Sequence, residues 1–297
     1  MKVLITGISG FIAPHLAEAA LNRGWEVLGV DILDCDIYKD GKDGFVFKKK
    51  DVRDLTLQEL DGVDYIFHMA FVTSIPDSIE HPIETSKDSL DMTIYLLELA
   101  KKAGIKKFVF PSTASLYGNN PLPWKEDMPL QPVEPYSWQK LACEYALKTW
   151  TNCYGLPTVI FRMFQVFGER QRKNTALAAF FRAKKEGKPI TLTETSPSSS
   201  FRTSQRDFIY VKDIADAFIK AAESDKTGKG EVINIASGKV TTMEEVAKAI
   251  GGEIVFVPKR GFEVERHEAD ITKARELLDW RPKTDVLEWL KEFIKTL

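Results

Sequence analysis

The first half of this chain alternates short apolar runs rich in Val, Ile and Phe with longer amphipathic stretches, and few folds accommodate that alternation. A strand buried on both faces reads as a continuous apolar run, and a parallel neighbour is reached only through a crossover, usually a helix. The apolar runs at 2–6, 26–31, 65–68, 107–111 and 158–162 are the expected strands, and 11–23, 83–102 and 135–154 carry helical patterns between them. Pro135 suits a first helical turn, where its missing N–H would have no intrahelical partner. The expected class is therefore α/β, a doubly wound parallel sheet with helices on both faces.

From about Phe167 the alternation weakens. A helix is expected at 175–186, a returning strand at 232–236, a helix at 242–250 and a terminal amphipathic helix at 284–296. Between them lie a polar stretch at 191–205 and a basic-aromatic run at 206–211. The turn-forming composition of 193–200 predicts a mobile surface loop there.

With 297 residues of which 44% are hydrophobic, the chain can bury a sizeable core. Its 41 basic and 43 acidic residues leave a formal charge of -2, which offers no broad attraction to nucleic acid or to an anionic membrane. Cys35, Cys143 and Cys153 are an odd, scattered set without ligand spacing, which argues against a disulfide framework or a zinc site and predicts buried structural thiols. His15, His68 and His81 have no metal spacing either, and packing or loop roles are expected for them. The opening apolar run is too short for a signal peptide and no later run approaches the length of a bilayer, so a cytoplasmic location is the expectation.

Chemistry begins at the first strand's end. Gly7-Ile8-Ser9-Gly10-Phe11-Ile12-Ala13 follows a strand and opens a helix, a setting in which glycines let backbone approach a pyrophosphate and helix N–H groups face the anion. Ala13 stands in for a third glycine that serves helix–strand packing. An isolated glycine pair fits a plain strand–turn–helix corner nearly as well. Asp31 tips the balance, because it closes the second strand about 20 residues on, where a carboxylate binds ribose hydroxyls and repels a 2′-phosphate. Ile32, Leu33 and Asp34 follow without a basic residue, which favours NAD over NADP. Asp51 and Val52 would add an adenine contact, although the stretch around them reads alone as a polar loop.

Tyr136 and Lys140 are four residues apart on an expected helix, which stacks them on one face with the ammonium placed to favour a phenolate. An unperturbed tyrosine, with a pKa of ~10, is a poor base at neutral pH, so this pairing prepares it for proton transfer. Thr113 lies just beyond a central strand, at the carboxyl end where open α/β sheets bind ligands. Its hydroxyl could bond both a sugar hydroxyl and the Tyr136 phenol.

With these motifs in order, the chain resembles the extended short-chain dehydrogenase/reductase family, and within it the NAD-dependent nucleotide-sugar epimerase and dehydratase branch. The resemblance spans almost the whole length, taking in His68-Met69-Ala70, Ser112 to Gly118, Arg162 to Gly168, Arg206 to Asp213, Asn234 to Gly238 and Asp270 to Pro282. It implies a Rossmann-type sheet with a smaller C-terminal α/β substrate-binding domain. The division would be 1–166 for NAD binding, with returning segments near 206–240, and 167–297 mainly for substrate. It also implies NAD contacts from Gly7, Ser9, Gly10, Phe11, Ile12, Asp31, Asp51, Val52, Met69, Ala70, Tyr136 and Lys140, and a homodimer. In the roles it carries over, Tyr136 is the general acid/base, Lys140 lowers its pKa and holds the nicotinamide ribose, and Thr113 positions the reacting hydroxyl.

Relatives that eliminate water usually place an Asp-Glu pair after the threonine, and sugar-acid decarboxylases keep a glutamate at the second of those positions. Ala114 and Ser115 stand there in this chain, and neither does acid–base work near neutral pH. Thr113, Tyr136 and Lys140 remain, a set sufficient for reversible oxidation at one carbinol. The expectation is a 4-epimerase acting on a UDP-hexose or UDP-hexuronate through a transient 4-keto sugar. A reductase of nucleotide-linked keto sugars and a non-catalytic NAD sensor are the alternatives.

A sugar nucleotide's diphosphate calls for guanidinium forks. Arg206, Arg260, Arg266, Arg170 and Arg172 are the candidates; Arg206 and Arg260 match the family's diphosphate positions best, and Arg266 and Arg170 are weaker. Gln165 replaces the family's usual asparagine beside the substrate, and Ser89 replaces one near the cofactor. His267 lies near a position that shapes the space beside the sugar, its alternative being a partly exposed loop or strand histidine.

Overall fold

The computed structural model describes residues 1–38, 41–171, 173, 175–259 and 264–296. The apolar runs become β1 (Lys2–Thr6), β2 (Glu26–Asp31), β3 (Phe45–Lys49), β4 (Tyr65–His68), β5 (Lys107–Thr113) and β6 (Thr158–Met163). A returning strand, β10 (Lys229–Ile235), completes a seven-stranded sheet ordered β10-β6-β5-β4-β1-β2-β3. Every neighbouring pair in it is parallel. The chain leaves β1 in one direction for β2 and β3 and in the other for β4 to β6, so the sheet has a switch point between β1 and β4, with a crevice beyond the strand ends.

Two apolar layers sandwich the sheet. Helices α1 (Ala13–Asn22) and α6 (Val211–Glu223) pack together on one face, where Leu16, Ala17, Ala20, Phe218 and Ala221 meet Val3, Ile5, Phe67 and Phe161. On the other face α3 (Pro82–Ala103) and α4 (Pro135–Tyr154) place Leu96, Ala100, Cys143 and Leu147 against Leu4, Ile66, Phe108 and Ile160. A short helix, α2 (Ile75–Glu80), precedes α3.

The second half builds two small sheets. One orders β11 (Val240–Thr242), β9 (Gln205–Tyr210) and β7 (Gln165–Phe167), and the other pairs β12 (Ile254–Val257) with β8 (Ile190–Thr193). Helices α5 (Ala176–Lys185), α7 (Met243–Ile250) and α9 (Val286–Phe293) close a separate apolar cluster over them through Phe180, Val246, Ile250 and Leu290. The remaining helix, α8 (Thr272–Leu278), packs against β10 and α6.

The stretch expected as a loop at 193–200 turns at 196–200 between paired flanks: Glu194 bridges to Thr203, the Thr195 N–H donates to the Arg202 carbonyl at 2.9 Å, and the Arg202 guanidinium lies 3.3 Å from the Phe256 ring centre. Two expectations change. Of the three cysteines expected to be buried, only Cys143 is; Cys35 is half-exposed and Cys153 exposed. Finally, β5 runs to Thr113 rather than stopping at Pro111, because Ser112 and Thr113 still pair with Arg162 and Met163.

Candidate active site

A cleft of about 1010 Å³ opens at the carboxyl ends of β1, β2, β4 and β5, lined among others by Gly7, Asp31, Met69, Thr113, Tyr136 and Lys140. Gly7 turns the chain out of β1 with φ +65°, and a Cβ there would lie 2.7 Å from the Ala70 nitrogen and 2.8 Å from its Cα. Only glycine fits that approach of two backbones. The loop's Ser9 N–H donates to Asp31 at 2.9 Å and the Leu33 N–H to its other oxygen at 3.0 Å, which fixes the carboxylate at the cleft wall. Ile12, Ala13 and Pro14 line the cleft, so the positive end of α1 lies against it, with no side-chain cap acceptor and no acidic residue in the first turn to offset it. Ser9, Gly10, Phe11 and Ile12 complete this wall, and Val52, Met69 and Ala70 also line the cleft.

Asp51 lies there as well, but its carboxylate is gripped by Arg53 at 2.7 and 2.9 Å. Those hydrogen bonds hold its pKa below the ordinary carboxylate value. His68, at the end of β4, is fully buried, and its ring contacts Thr6 Oγ1 at 2.8 Å and Thr93 Oγ1 at 3.1 Å. Burial, assisted by the Lys140 charge, pushes it down to about 3, so it is a neutral packing residue, as its isolation in the sequence implied. Ser89, expected near the cofactor, is buried within α3, whose Asp88 and Met92 line the cleft.

The chemical end is built by β5 and α4. Glu134 caps α4, accepting from the Ser137 N–H at 3.0 Å, and Pro135 sets the first turn. Tyr136 is thereby held at the helix start, its N–H donating to Ser78 Oγ at 3.1 Å. One turn on, Lys140 is 2% exposed and donates to the Pro111 carbonyl at 2.7 Å. A further turn on, Glu144 accepts from Ser112 Oγ at 2.5 Å and from Arg162 at 2.8 and 3.0 Å. This buried network ties α4 to the ends of β5 and β6. Thr113, the last residue of β5, exchanges hydrogen bonds with Ser115, Oγ to Oγ at 3.1 Å and from the Ser115 N–H at 3.2 Å. The structure thus gathers Thr113, Tyr136 and Lys140 on the cleft that also holds the glycine loop and Asp31.

A cavity of about 250 Å³ adjoins through Gln165, which lines both spaces. Arg206, Phe208, Leu192, Phe180 and Met243 are among its walls. The Arg206 guanidinium donates to the carbonyls of Gln205 at 2.9 Å and Glu265 at 3.4 Å. His267 lines neither space; its ring packs on Trp124 with centroids 5.0 Å apart, and burial beside Arg206 drives it down to about 3. Arg170 lines the large cleft, whereas Arg266 pairs with Glu268 at 2.6 Å. Arg172 and Arg260 lie outside the described residues.

Sequence reasoning passed over Phe71. It lines the cleft, its ring centre lies 3.6 Å from Lys140 Nζ, and it meets the Tyr136 ring edge to face. The signal was an aromatic directly after His68-Met69-Ala70. Among the described residues no group of three or more side chains could hold a metal ion, and no helix is long and apolar enough to cross a membrane.

Comparisons with known proteins agree with this geometry. The NAD dependent epimerase/dehydratase family matches residues 3–236. A putative UDP-glucose 4-epimerase of Methanocaldococcus jannaschii is 31% identical over 98% of this chain and 97% of its own. Among solved structures, the UDP-N-acetylglucosamine 4-epimerase of Methanobrevibacter ruminantium M1, in complex with UDP-N-acetylmuramic acid, superposes with a TM-score of 0.89 at 32% identity, covering 99% of this chain and 97% of that one. The UDP-glucuronic acid 4-epimerase of Bacillus cereus, solved with UDP-glucuronic acid and NAD, gives 0.88 at 28% identity, covering 100% and 99%. A decarboxylase and a 5,6-dehydratase of nucleotide sugars also match. The chain belongs to the NAD dependent epimerase/dehydratase family.

Proposed function

We propose that this protein is an NAD-dependent 4-epimerase of a UDP-hexose or UDP-hexuronate. The observation that carries the reading is one cleft holding a proton-transfer set and a dinucleotide cradle, with Ala114 and Ser115 following Thr113. The cradle fits NAD on its own terms: Gly7 leaves room only for backbone, α1 presents its amide end, and Asp31 is oriented by two N–H donors. When bound, NAD supplies the hydride acceptor and donor. Gly7, Ser9, Gly10, Phe11 and Ile12 would hold its pyrophosphate, Asp31 its adenosine ribose, Asp51 and Val52 its adenine, and Met69 and Ala70 the adjoining wall.

Tyr136 takes the proton of the 4-hydroxyl as that carbon is oxidised, and Lys140 favours the phenolate needed for it. Thr113 bonds the same hydroxyl and keeps it within reach of Tyr136. The 4-keto sugar turns over, and Tyr136 returns the proton as the carbinol re-forms with the opposite configuration. Dehydration would need a base and an acid that Ala114 and Ser115 do not provide, so the reading excludes it. Arg206 would take the diphosphate, together with Arg260, and Gln165 would stand between the sugar and the smaller cavity.

The reading includes a homodimer. On α3 and α4, Ile83 is 78% exposed, Tyr145 60% and Trp138 50%. Trp138 and Tyr145, seven residues apart, share one helix face, an apolar surface that a second copy would cover.

Incubating the purified protein with UDP-glucose, UDP-N-acetylglucosamine and UDP-glucuronate, without added cofactor, tests the function. A product of unchanged mass and different chromatographic retention is expected from one of them. Loss of water or carbon dioxide, or stoichiometric consumption of NADH in a parallel incubation to which NADH is added, contradicts the reading.

A further inference from the structure

The Lys140 ammonium is almost entirely removed from solvent. Burial of a charge is costly unless its surroundings offer compensating negative potential. Here the Pro111 carbonyl accepts from it at 2.7 Å, the Phe71 ring face lies 3.6 Å away and that of Phe110 4.5 Å away. The electron-rich face of an aromatic ring attracts a cation, most strongly where water is excluded. The same Phe71 ring meets the Tyr136 ring edge to face, with centroids 6.2 Å apart at 81°, and the Phe110 ring at 6.0 Å and 64°. Its backbone is anchored through Ala70, whose N–H donates to Thr6 Oγ1 at 3.1 Å. Helical spacing alone aligns the Cα atoms of Tyr136 and Lys140, but a four-carbon stem lets the ammonium swing. Phe71 limits that swing while touching the tyrosine itself.

We propose that Phe71 is a positioning residue that holds the Lys140 ammonium against its ring face and the Tyr136 ring against its edge, fixing the charge that prepares the phenol. The proposal rests on the reading of Tyr136 as the acid/base group. Its test therefore uses a readout that does not need turnover. In the cofactor-loaded protein, the ultraviolet tyrosinate titration is recorded for each variant and for the same variant carrying Tyr136→Phe, and the difference gives the ionisation of Tyr136.

Phe71→Leu, which keeps apolar bulk but removes the ring, is expected to lower the Tyr136 ionisation constant roughly three- to tenfold. The acid limb of the kcat profile should move up in pH by the same amount, with KM for the sugar nucleotide unchanged to within about twofold. Phe71→Tyr, which restores a ring face, should titrate like the parent. If Phe71→Leu does not fold, Phe71→Met makes the same comparison. A ringless variant that titrates like the parent, or a Phe71→Tyr variant displaced as far as Phe71→Leu, overturns the proposal. Failure of the parent to turn over any UDP-sugar counts against the function instead and leaves this titration readable.

Discussion

Tyr136 owes its place to two neighbours outside the cleft lining: Glu134 caps the helix and Pro135 starts it. The phenol therefore emerges from a fixed first turn, one turn before a buried lysine. Replacing Tyr136 by Phe removes the oxygen proposed to carry the proton and keeps the ring against Phe71. Turnover should fall ~10²–10⁴-fold, the range for loss of a general acid/base, while bound NAD and the melting temperature stay at parent values. A variant turning over at the parent rate would remove Tyr136 from the chemistry. Gly7, Asp31, Tyr136 and Lys140 were legible in the sequence because their meaning lies in short spacings. Phe71 was not, since its part arises from a contact with Lys140, 69 positions along the chain, that only the folded sheet creates.

At the level of elements, the parallel strands of the central sheet were readable wherever both faces are buried, as in β4 and β5. The edge strand β3 was not, because Phe45–Lys49 is only partly covered and carries two lysines. The same physics hid the hairpin-like ties at 194–203, where polar side chains pair across a turn and leave no apolar period. Helices α3 and α4 carry the converse signal, apolar side chains left in solvent. If a second copy covers them, light scattering gives twice the chain mass for the parent. Ile83→Glu combined with Tyr145→Glu should give a single chain mass with an unchanged circular dichroism spectrum. A parent of single-chain mass would contradict the dimer.

Over the whole molecule, the switch between β1 and β4 puts the glycine loop, Thr113, Tyr136 and Lys140 into one crevice, and buried His68 and Asp207 shape how the fold responds to acid. His68, fully buried, sits at about 3 in the folded protein, against ~6.5 when unfolded. Its value is depressed on folding, so its stabilising contribution is complete above ~6.5 and is lost as pH falls toward 3. That should cost about 1.4 kcal/mol of stability per pH unit across the window. Asp207, raised to about 6 by burial, acts in the opposite sense and gains stability as pH falls below that value. Chemical denaturation of the parent and of His68→Gln between pH 4.5 and 7 isolates the histidine, and the variant's slope should differ by one proton's worth. Equal slopes in the two proteins would contradict neutral burial of this ring. The central claim is oxidation and return at a single carbon. A UDP-sugar carrying deuterium on carbon 4, turned over in ordinary water with unlabelled NAD present, tests it most directly. The account predicts an epimerised product that keeps its deuterium on carbon 4, whereas deuterium lost to water or recovered in free NADH would contradict it.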